Sequence, residues 1–387
     1  MSTWLTCCFA LLLLVLPFVP VVADVHDDAE IARLVKQLGS SDFRMRDAAT
    51  IRLKEIGDPA LDAVTKAATS NDVELRRRAE EIIVVIENKI CVEQLRLTGH
   101  RGLVFAVSVS ADGKRLLTGG IDMTLRLWDA DTGKELRVFV GHSHFVVGAA
   151  LSPDGTRVLS ASRDNSVRLW DADTGKELHK MTGHLDGAQK VAFGPEGQAL
   201  SGGEDGKMKL WDLNTGKQAG VFTCHTHPGN SYAANMMCTV VYSEKAKLAA
   251  TSGRNQPIIL WNLETGKEVR KFAGSDNARI CFSPDGKRLA ACYYETLLIW
   301  DVETGNELLR NNDTDAYSVA FSPDGKRIVL GGRRDGIVRL WDSKTGMELR
   351  KYEGHTRVVT NVAFFPDGKR IVSASEDGTV RIWRAPR

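Results

Sequence analysis

The spacing of hydrophobic positions changes twice along the chain. Between Trp4 and Ala23 nearly every residue is apolar, with Ala10-Leu11-Leu12-Leu13-Leu14-Val15-Leu16 at the centre. From residue 25 to 90 the apolar positions recur at i, i+3, i+4 and i+7, as in Ile31, Leu34, Val35 and Leu38, which is one face of a helix. From about residue 92 to the end they alternate, as in Val167-Arg168-Leu169-Trp170 and Val338-Arg339-Leu340-Trp341. A period of two is that of a strand with one buried face.

The alternating region repeats itself. Trp128, Trp170, Trp211, Trp261, Trp300, Trp341 and Trp383 lie 42, 41, 50, 39, 41 and 42 residues apart, each ending an alternating segment. Two turn signatures recur between the segments. Ser-Pro-Asp-Gly stands at 152–155, 283–286 and 322–325, with Phe365-Pro366-Asp367-Gly368 as a variant. Asp-Thr-Gly-Lys stands at 131–134 and 173–176, with relatives ending at Gly216, Gly266, Gly305 and Gly346. Proline presets φ for a turn and glycine takes the left-handed position, so both signatures close hairpins. Each repeat then holds four short antiparallel strands, the blade of a propeller. The chain stops after the third strand of its last blade, and the stretch 92–97 reads as a fourth. The expectation is a mainly β protein. A seven-bladed β-propeller over 91–387 follows a small all-α helical-repeat domain over 24–90, and strand 92–97 closes the last blade and removes the open edges.

The repeats resemble the WD-repeat family over roughly 92–384. Gly-His opens units at 99–100, 141–142, 183–184 and 354–355, and Trp-Asp closes them at 128–129, 170–171, 211–212, 300–301 and 341–342. Asp122, Asp164, Asp205, Asp335 and Asp377 stand six residues before the tryptophan, with Asn255 substituting in blade 4. A hydroxyl four residues earlier is present as Thr118, Ser160, Ser201, Thr251 and Ser373. The resemblance implies a hydrogen-bonded network inside each blade: His100, Thr118, Asp122 and Trp128; His142, Ser160, Asp164 and Trp170; His184, Ser201, Asp205 and Trp211; His355, Ser373, Asp377 and Trp383. Such a network satisfies polar groups whose burial would otherwise cost a few kcal/mol each. His100 beside Asp122 could be taken for an acid–base pair, but the set recurs in blade after blade, as an active site does not. Blade 5 departs most, with Ala290 and Tyr294 in place of hydroxyl and Asp and Gly274-Ser275 in place of Gly-His. Blade 6 carries Asn311-Asn312-Asp313 where Gly-His belongs.

In the helical region, Asp42-Phe-Arg-Met-Arg46-Asp-Ala-Ala49 and Asp72-Val-Glu-Leu-Arg76-Arg-Arg-Ala79 repeat at an offset of 30 residues. The aspartates suit helix starts, the alanines suit close helix packing, and Gly57-Asp58-Pro59 ends one helix and begins another. These residues resemble HEAT-type repeats, which implies a short stack acting as a cap, a spacer or a docking surface. The apolar run before it reads as a signal peptide over 1–23, with Val21-Val22-Ala23 at the cleavage site and Asp24 as the mature start. The expectation is export, periplasmic or secreted, with a membrane anchor as the alternative if the segment is not cleaved.

Composition narrows the function. The chain has 51 Lys and Arg against 49 Asp and Glu, a net charge of +2. That balance gives no basic stripe for nucleic acid or, apart from the signal segment, for a membrane. No nucleophile elbow, phosphate loop or metal-hydrolase helix occurs. Quinone-dependent dehydrogenases are propellers with a similar turn, but they set a Trp three residues after the Lys, where this chain has Arg137, His179, Gly220 and Arg270. Blade 4 has the longest insertion, with 8 extra residues after His225, and Cys224 and Cys238 flank it. Their disulfide is the first expectation in an exported protein, and zinc on Cys224, His225, His227 and Cys238 is the alternative. The remaining mature thiols, Cys91, Cys281 and Cys292, suit small buried positions. The leading function is a non-catalytic, monomeric scaffold without cofactor or metal, binding protein partners through its loop face. Arg163, Arg254, Arg333 and Arg334 point onto that face beside Glu204 and Glu376, joined by Arg101, His144, Tyr317 and Arg357 from neighbouring loops. The alternative is an exported propeller enzyme or a small-ligand-binding protein with its site over the central channel.

Overall fold

In the computed structural model, which describes residues 28–90, 93–225, 239–274 and 278–386, each tryptophan-bearing repeat folds into one antiparallel four-stranded sheet. Blade 1 is built from Val104–Val109, Arg115–Gly120, Leu125–Asp129 and Glu135–Phe139. Blades 2 to 6 follow in the same order, starting at Val146, Ala188, Thr239, Arg279 and Ala316. The first strand of each blade lines a central channel and the fourth lies outermost. Burial follows that order: Ser166–Asp171, a third strand, is buried at every residue but the last, whereas Glu135–Phe139, a fourth strand, is exposed over its first three. The two central strands are therefore covered on both faces, polar members such as Arg168 included, while the outer strand keeps an exposed face.

Turn chemistry sets the hairpins. In blade 2 the Ser152 hydroxyl donates to Asp154 and accepts from the Arg157 backbone N–H at 2.9 Å. Gly155, at φ 71°, takes the left-handed position that closes the turn. In blade 1 the Asp129 carboxylate accepts from the backbone N–H of Thr132 at 2.8 Å and from its hydroxyl at 2.7 Å.

Blade 7 takes three strands from the C-terminal end, Val359–Phe364, Arg370–Ser375 and Thr379–Arg384. Its fourth strand is Glu93–Thr98, antiparallel to the third, with Leu95 opposite Ile382 and Thr98 opposite Thr379. Arg381 forms an ion pair with Glu93 on this closing strand. Between other blades the contacts are made by side chains. Trp128 of blade 1, for instance, shares a buried cluster with Leu97, Val372 and Val380 of blade 7. At one end of the strands, arginines reach from blade to blade. Arg115 donates to Gly155 O at 3.4 Å, Arg288 to Gly325 O at 2.5 Å, Arg327 to Gly368 O at 3.2 Å and Arg370 to Gly113 O at 3.2 Å. Each of these carbonyls belongs to the turn of the next blade. The clasps run through blades 5, 6, 7, 1 and 2. Gln198 and Leu248 stand in the equivalent places of blades 3 and 4.

The N-terminal unit, divided from the propeller between Ile90 and Cys91, has four helices: α1 (Asp28–Gln37), α2 (Phe43–Ile56), α3 (Asp58–Ala67) and α4 (Val73–Ile90). Its core includes Leu38, Leu53, Leu61, Ile82 and Ile86, together with Ala49 and Ala79. The 30-residue offset reappears in the bonding. Asp42 caps α2 by accepting from Arg44 N at 2.8 Å, and Asp72 accepts from Glu74 N at 3.0 Å at the start of α4. Arg46 donates back to Ser40 O, and Arg76 does the same to Ser70 O. Among the described residues no helix is long and apolar enough to cross a membrane. The apolar segment 1–23, Asp24, Cys91, the 227–235 insertion, His227, Cys238 and Ser275 lie outside the described residues.

Removing residues 93–98 leaves the Thr379–Arg384 edge unpaired and Leu97 missing from the cluster at the seam. The expected outcome is a fall in thermal midpoint of about 10 °C or more, read by differential scanning calorimetry. An unchanged midpoint would show that the closing strand contributes nothing to the ring.

Candidate functional site

In four blades a hydroxyl sits at the junction of two ring nitrogens. Trp128 Nε1 donates to Thr118 Oγ1 at 2.9 Å, and the same oxygen lies 2.8 Å from His100 Nε2. His100 Nδ1 lies 3.0 Å from the Asp122 carboxylate. Blade 2 repeats this with Trp170, Ser160, His142 and Asp164 at 2.9, 2.7 and 2.8 Å. Blade 3 uses Trp211, Ser201, His184 and Asp205 at 2.8, 2.7 and 3.0 Å. Blade 7 uses Trp383, Ser373, His355 and Asp377 at 2.8, 2.8 and 2.9 Å. One proton arrangement satisfies every member: the indole donates to the hydroxyl, the hydroxyl to Nε2, and Nδ1–H to the carboxylate. Both histidine nitrogens are thereby engaged, so neither offers a lone pair to a substrate.

The aspartates also fix the loops. The backbone N–H of the residue after each histidine (Arg101, Ser143, Leu185 and Thr356) donates to the same carboxylate at 3.1–3.2 Å. Burial alone would raise these four carboxyls. Hydrogen bonds from the histidine and from the flanking groups outweigh it and hold all four below the ordinary carboxylate range. Their contribution to stability is thus complete above the unfolded value near pH ~3.9 and is lost only as pH falls through the lower folded values.

The remaining blades are incomplete. In blade 4, Trp261 donates to Thr251 at 2.9 Å. Asn255 replaces the carboxylate, and both nitrogens of the buried His225 lack a partner among the described residues. Burial pushes His225 down to about 4. Blade 5 has Ala290 where the hydroxyl would be. In blade 6 the equivalent position is Gly331, and Trp341 Nε1 is unsatisfied. Asp335 has no histidine to meet and pairs instead with Arg339.

The loop-face candidates do not form one cluster. Arg101, His144, Arg163, Arg254, Arg334 and Arg357 are exposed, while Tyr317 and Arg333 are half-buried. Arg163 pairs with Glu204 at 3.2 Å and Arg334 with Glu295 at 2.7 Å. The His144 ring meets Phe145 edge-on at 4.3 Å, and Arg333 lies over Tyr294 at 5.0 Å. Only Arg163 and Tyr317 of this set border the cavity of about 210 Å³ at the channel mouth. Phe105, Phe145, Gln189, Lys190 and Arg279 complete much of its lining, and sequence reasoning had not singled them out. The signal was present: Lys190 and Arg279 are the two charged residues in the seven inner strands. Cys224 is buried, and its thiol donates to Phe222 O at 3.5 Å. Its proposed disulfide partner is outside the described residues, as are His227 and Cys238 of the zinc alternative.

Comparison with known proteins adds the following. The family model described as WD domain, G-beta repeat matches residues 91–129, 133–171, 175–212, 266–301, 307–342 and 346–384. These segments make up more than half of the chain, and they leave out 213–265, which holds the first three strands of blade 4. A 38-residue segment, 10% of the chain, is 53% identical to eukaryotic translation initiation factor 3 subunit I of Danio rerio and covers 12% of that protein. Another 38 residues, also 10% of the chain, are 55% identical to the ribosome biogenesis protein ERB1 of Yarrowia lipolytica and cover 5% of it. A 55-residue stretch, 14% of the chain, is 38% identical to protein ROOT INITIATION DEFECTIVE 3 of Arabidopsis thaliana and covers 13% of it. The chain spans less than a seventh of each of these relatives.

His225 sets a pH dependence. Its folded value is depressed below the unfolded value near ~6.5, so the unfolded chain binds the extra proton. Stability therefore falls as pH drops from ~6.5 towards 4. A His225→Gln variant removes that titration. Urea unfolding at pH 7 and pH 4.5 is expected to show the wild type losing about 2 kcal/mol more than the variant between the two. Equal losses would mean that His225 is not buried in its neutral form.

Proposed function

The chain belongs to the WD-repeat family, and on that premise we propose that it is a non-catalytic scaffold holding protein partners on the loop face of its propeller. The observation that carries the reading is the exposure of arginines from separate blades on loops with a fixed backbone. Arg101 N donates to Asp122 at 3.1 Å, Arg334 N to Asp315 at 2.8 Å and Arg163 N to Phe145 O at 3.0 Å. Exposed arginines on preordered loops reduce the ordering cost of binding and offer planar, multi-donor contacts to a partner. The named relatives are a translation initiation factor subunit and a ribosome biogenesis protein, which is compatible with work in assemblies. The same reading treats residues 24–90 as a HEAT-like spacer, supported by the repeated caps and back-bonded arginines of α2 and α4.

The chain, used as bait on a lysate of its source cells, is expected to retain partners that a triple variant, Arg163→Glu, Arg254→Glu and Arg334→Glu, loses. Retention by both baits would place binding elsewhere than the arginine face, and retention by neither would remove the support for a scaffold. We also propose export, from the apolar segment ending at Val21-Val22-Ala23. Intact mass of the protein recovered from its source is expected to fit a chain beginning at Asp24, and a mass that includes Met1–Ala23 would overturn it.

A further inference from the structure

The inner strands of the propeller are apolar or weakly polar except at two positions, and both carry a positive charge. Lys190 projects from blade 3 and Arg279 from blade 5. Both line the cavity of about 210 Å³ at the mouth and the cavity of about 280 Å³ that continues it inward. Among the described residues no carboxylate lines either one. Arg279 donates to the Tyr317 hydroxyl at 3.1 Å and lies over its ring at 5.0 Å. Lys190 has no hydrogen bond or ion pair among the described residues. Burial and then the Arg279 charge push its ammonium down to about 7. Lys190 and Arg279 are half-buried, and two like charges facing one narrow channel repel each other unless an anion joins them.

The walls are sorted by polarity. At the mouth stand Phe105 and Phe145, with ring centroids 6.3 Å apart. Deeper in, Thr239, Ser318 and Asn361 join the two cations. We infer that the channel is a binding site for a small organic anion, its carboxylate or phosphate oxygens between Lys190 and Arg279 and its apolar body against the paired rings of Phe105 and Phe145. The site meets the arginine face proposed for protein partners at Arg163, which borders its mouth, but neither cation is among the residues reversed in that test.

Phenyl phosphate, phenylacetate and inorganic phosphate, added to the chain at matched ionic strength, serve as probes. The two aromatic anions represent the two head groups, and inorganic phosphate lacks the apolar body. Isothermal titration calorimetry at pH 7 is expected to detect at least one aromatic anion, bound more tightly than inorganic phosphate. Lys190→Met and Arg279→Met are each expected to weaken it roughly tenfold or more. Lys190→Met removes a cation that faces Arg279 without a carboxylate between them, so the free variant is expected to melt no lower than the wild type and remains testable. A second readout is proton uptake. The charged and titratable groups around Lys190 are Arg279, Arg163, Glu204 through its bond from Gln189, and the phenols of Tyr317 and Tyr242. An anion on Lys190 favours its protonated form, so at pH 8 the binding heat should vary with buffer ionisation enthalpy in the sense of proton uptake. No binding by either aromatic anion, or wild-type affinity in both variants, would overturn the inference.

Discussion

No backbone ladder runs between one blade and the next. Each sheet bonds only within itself, so a ring of seven could open at any of its seven interfaces. What forbids this is the pairing of Glu93–Thr98 with Thr379–Arg384, which joins distant chain segments into one sheet, the paired Glu93 and Arg381 side chains being 288 positions apart. With that pairing made, an opening anywhere else must strain or break the packing at every interface. Without it, blade 7 presents an unpaired third strand and the ring has an end. The position of the loops, the width of the channel and the spacing of the cations within it all follow from closure.

Closure gives a ring, and the buried hydroxyls make individual blades stiff. Thr118, Ser160, Ser201 and Ser373 each accept from an indole and meet an imidazole. The imidazole is tied to a carboxylate that also holds the next loop. Surface loops are in this way connected to tryptophans in the blade interior by successive hydrogen bonds. Blades 1, 2, 3 and 7 have the whole chain of bonds, and they are contiguous around the ring. Blades 4, 5 and 6 lack parts of it, and they too are contiguous. The arginine clasps at the other end of the strands are distributed differently, present through blades 5, 6, 7, 1 and 2. Blade 4 has neither.

The repeat was legible because its parts obey local rules. Tryptophan spacing, Ser-Pro-Asp-Gly turns and the offset between hydroxyl, aspartate and tryptophan each express contacts between residues close in sequence. The closing strand was legible for the same reason, since residues 92–97 look like a fourth strand that the last blade lacks. What could not be read is what depends on several blades together. Arg163 and Arg334 could be placed on the loop face from sequence but not paired, because their ion pairs with Glu204 and Glu295 join different blades. Lys190 and Arg279 are 89 positions apart and share a cavity only because the ring brings blades 3 and 5 to one axis. The alternating pattern also hid them, because an inner strand's channel-facing residues resemble any half-exposed position.

The two channel cations flank blade 4, and that placement has a physical consequence. Two cations facing one narrow channel repel each other, and they are tolerated most easily where the surrounding framework can adjust. Blade 4 is the sector with an asparagine in place of the network carboxylate, an unpartnered His225 and no clasp from Leu248. Its first three strands also lie in the stretch left out of the family match. Removing the aspartate has a further effect, since a carboxylate at position 255 would engage the His225 ring, as it does in four other blades. The loss of regularity in blade 4 and the gain of positive charge on either side of it thus lie in one sector, while the complete networks of blades 1, 2, 3 and 7 and the closing strand keep the rest of the ring fixed.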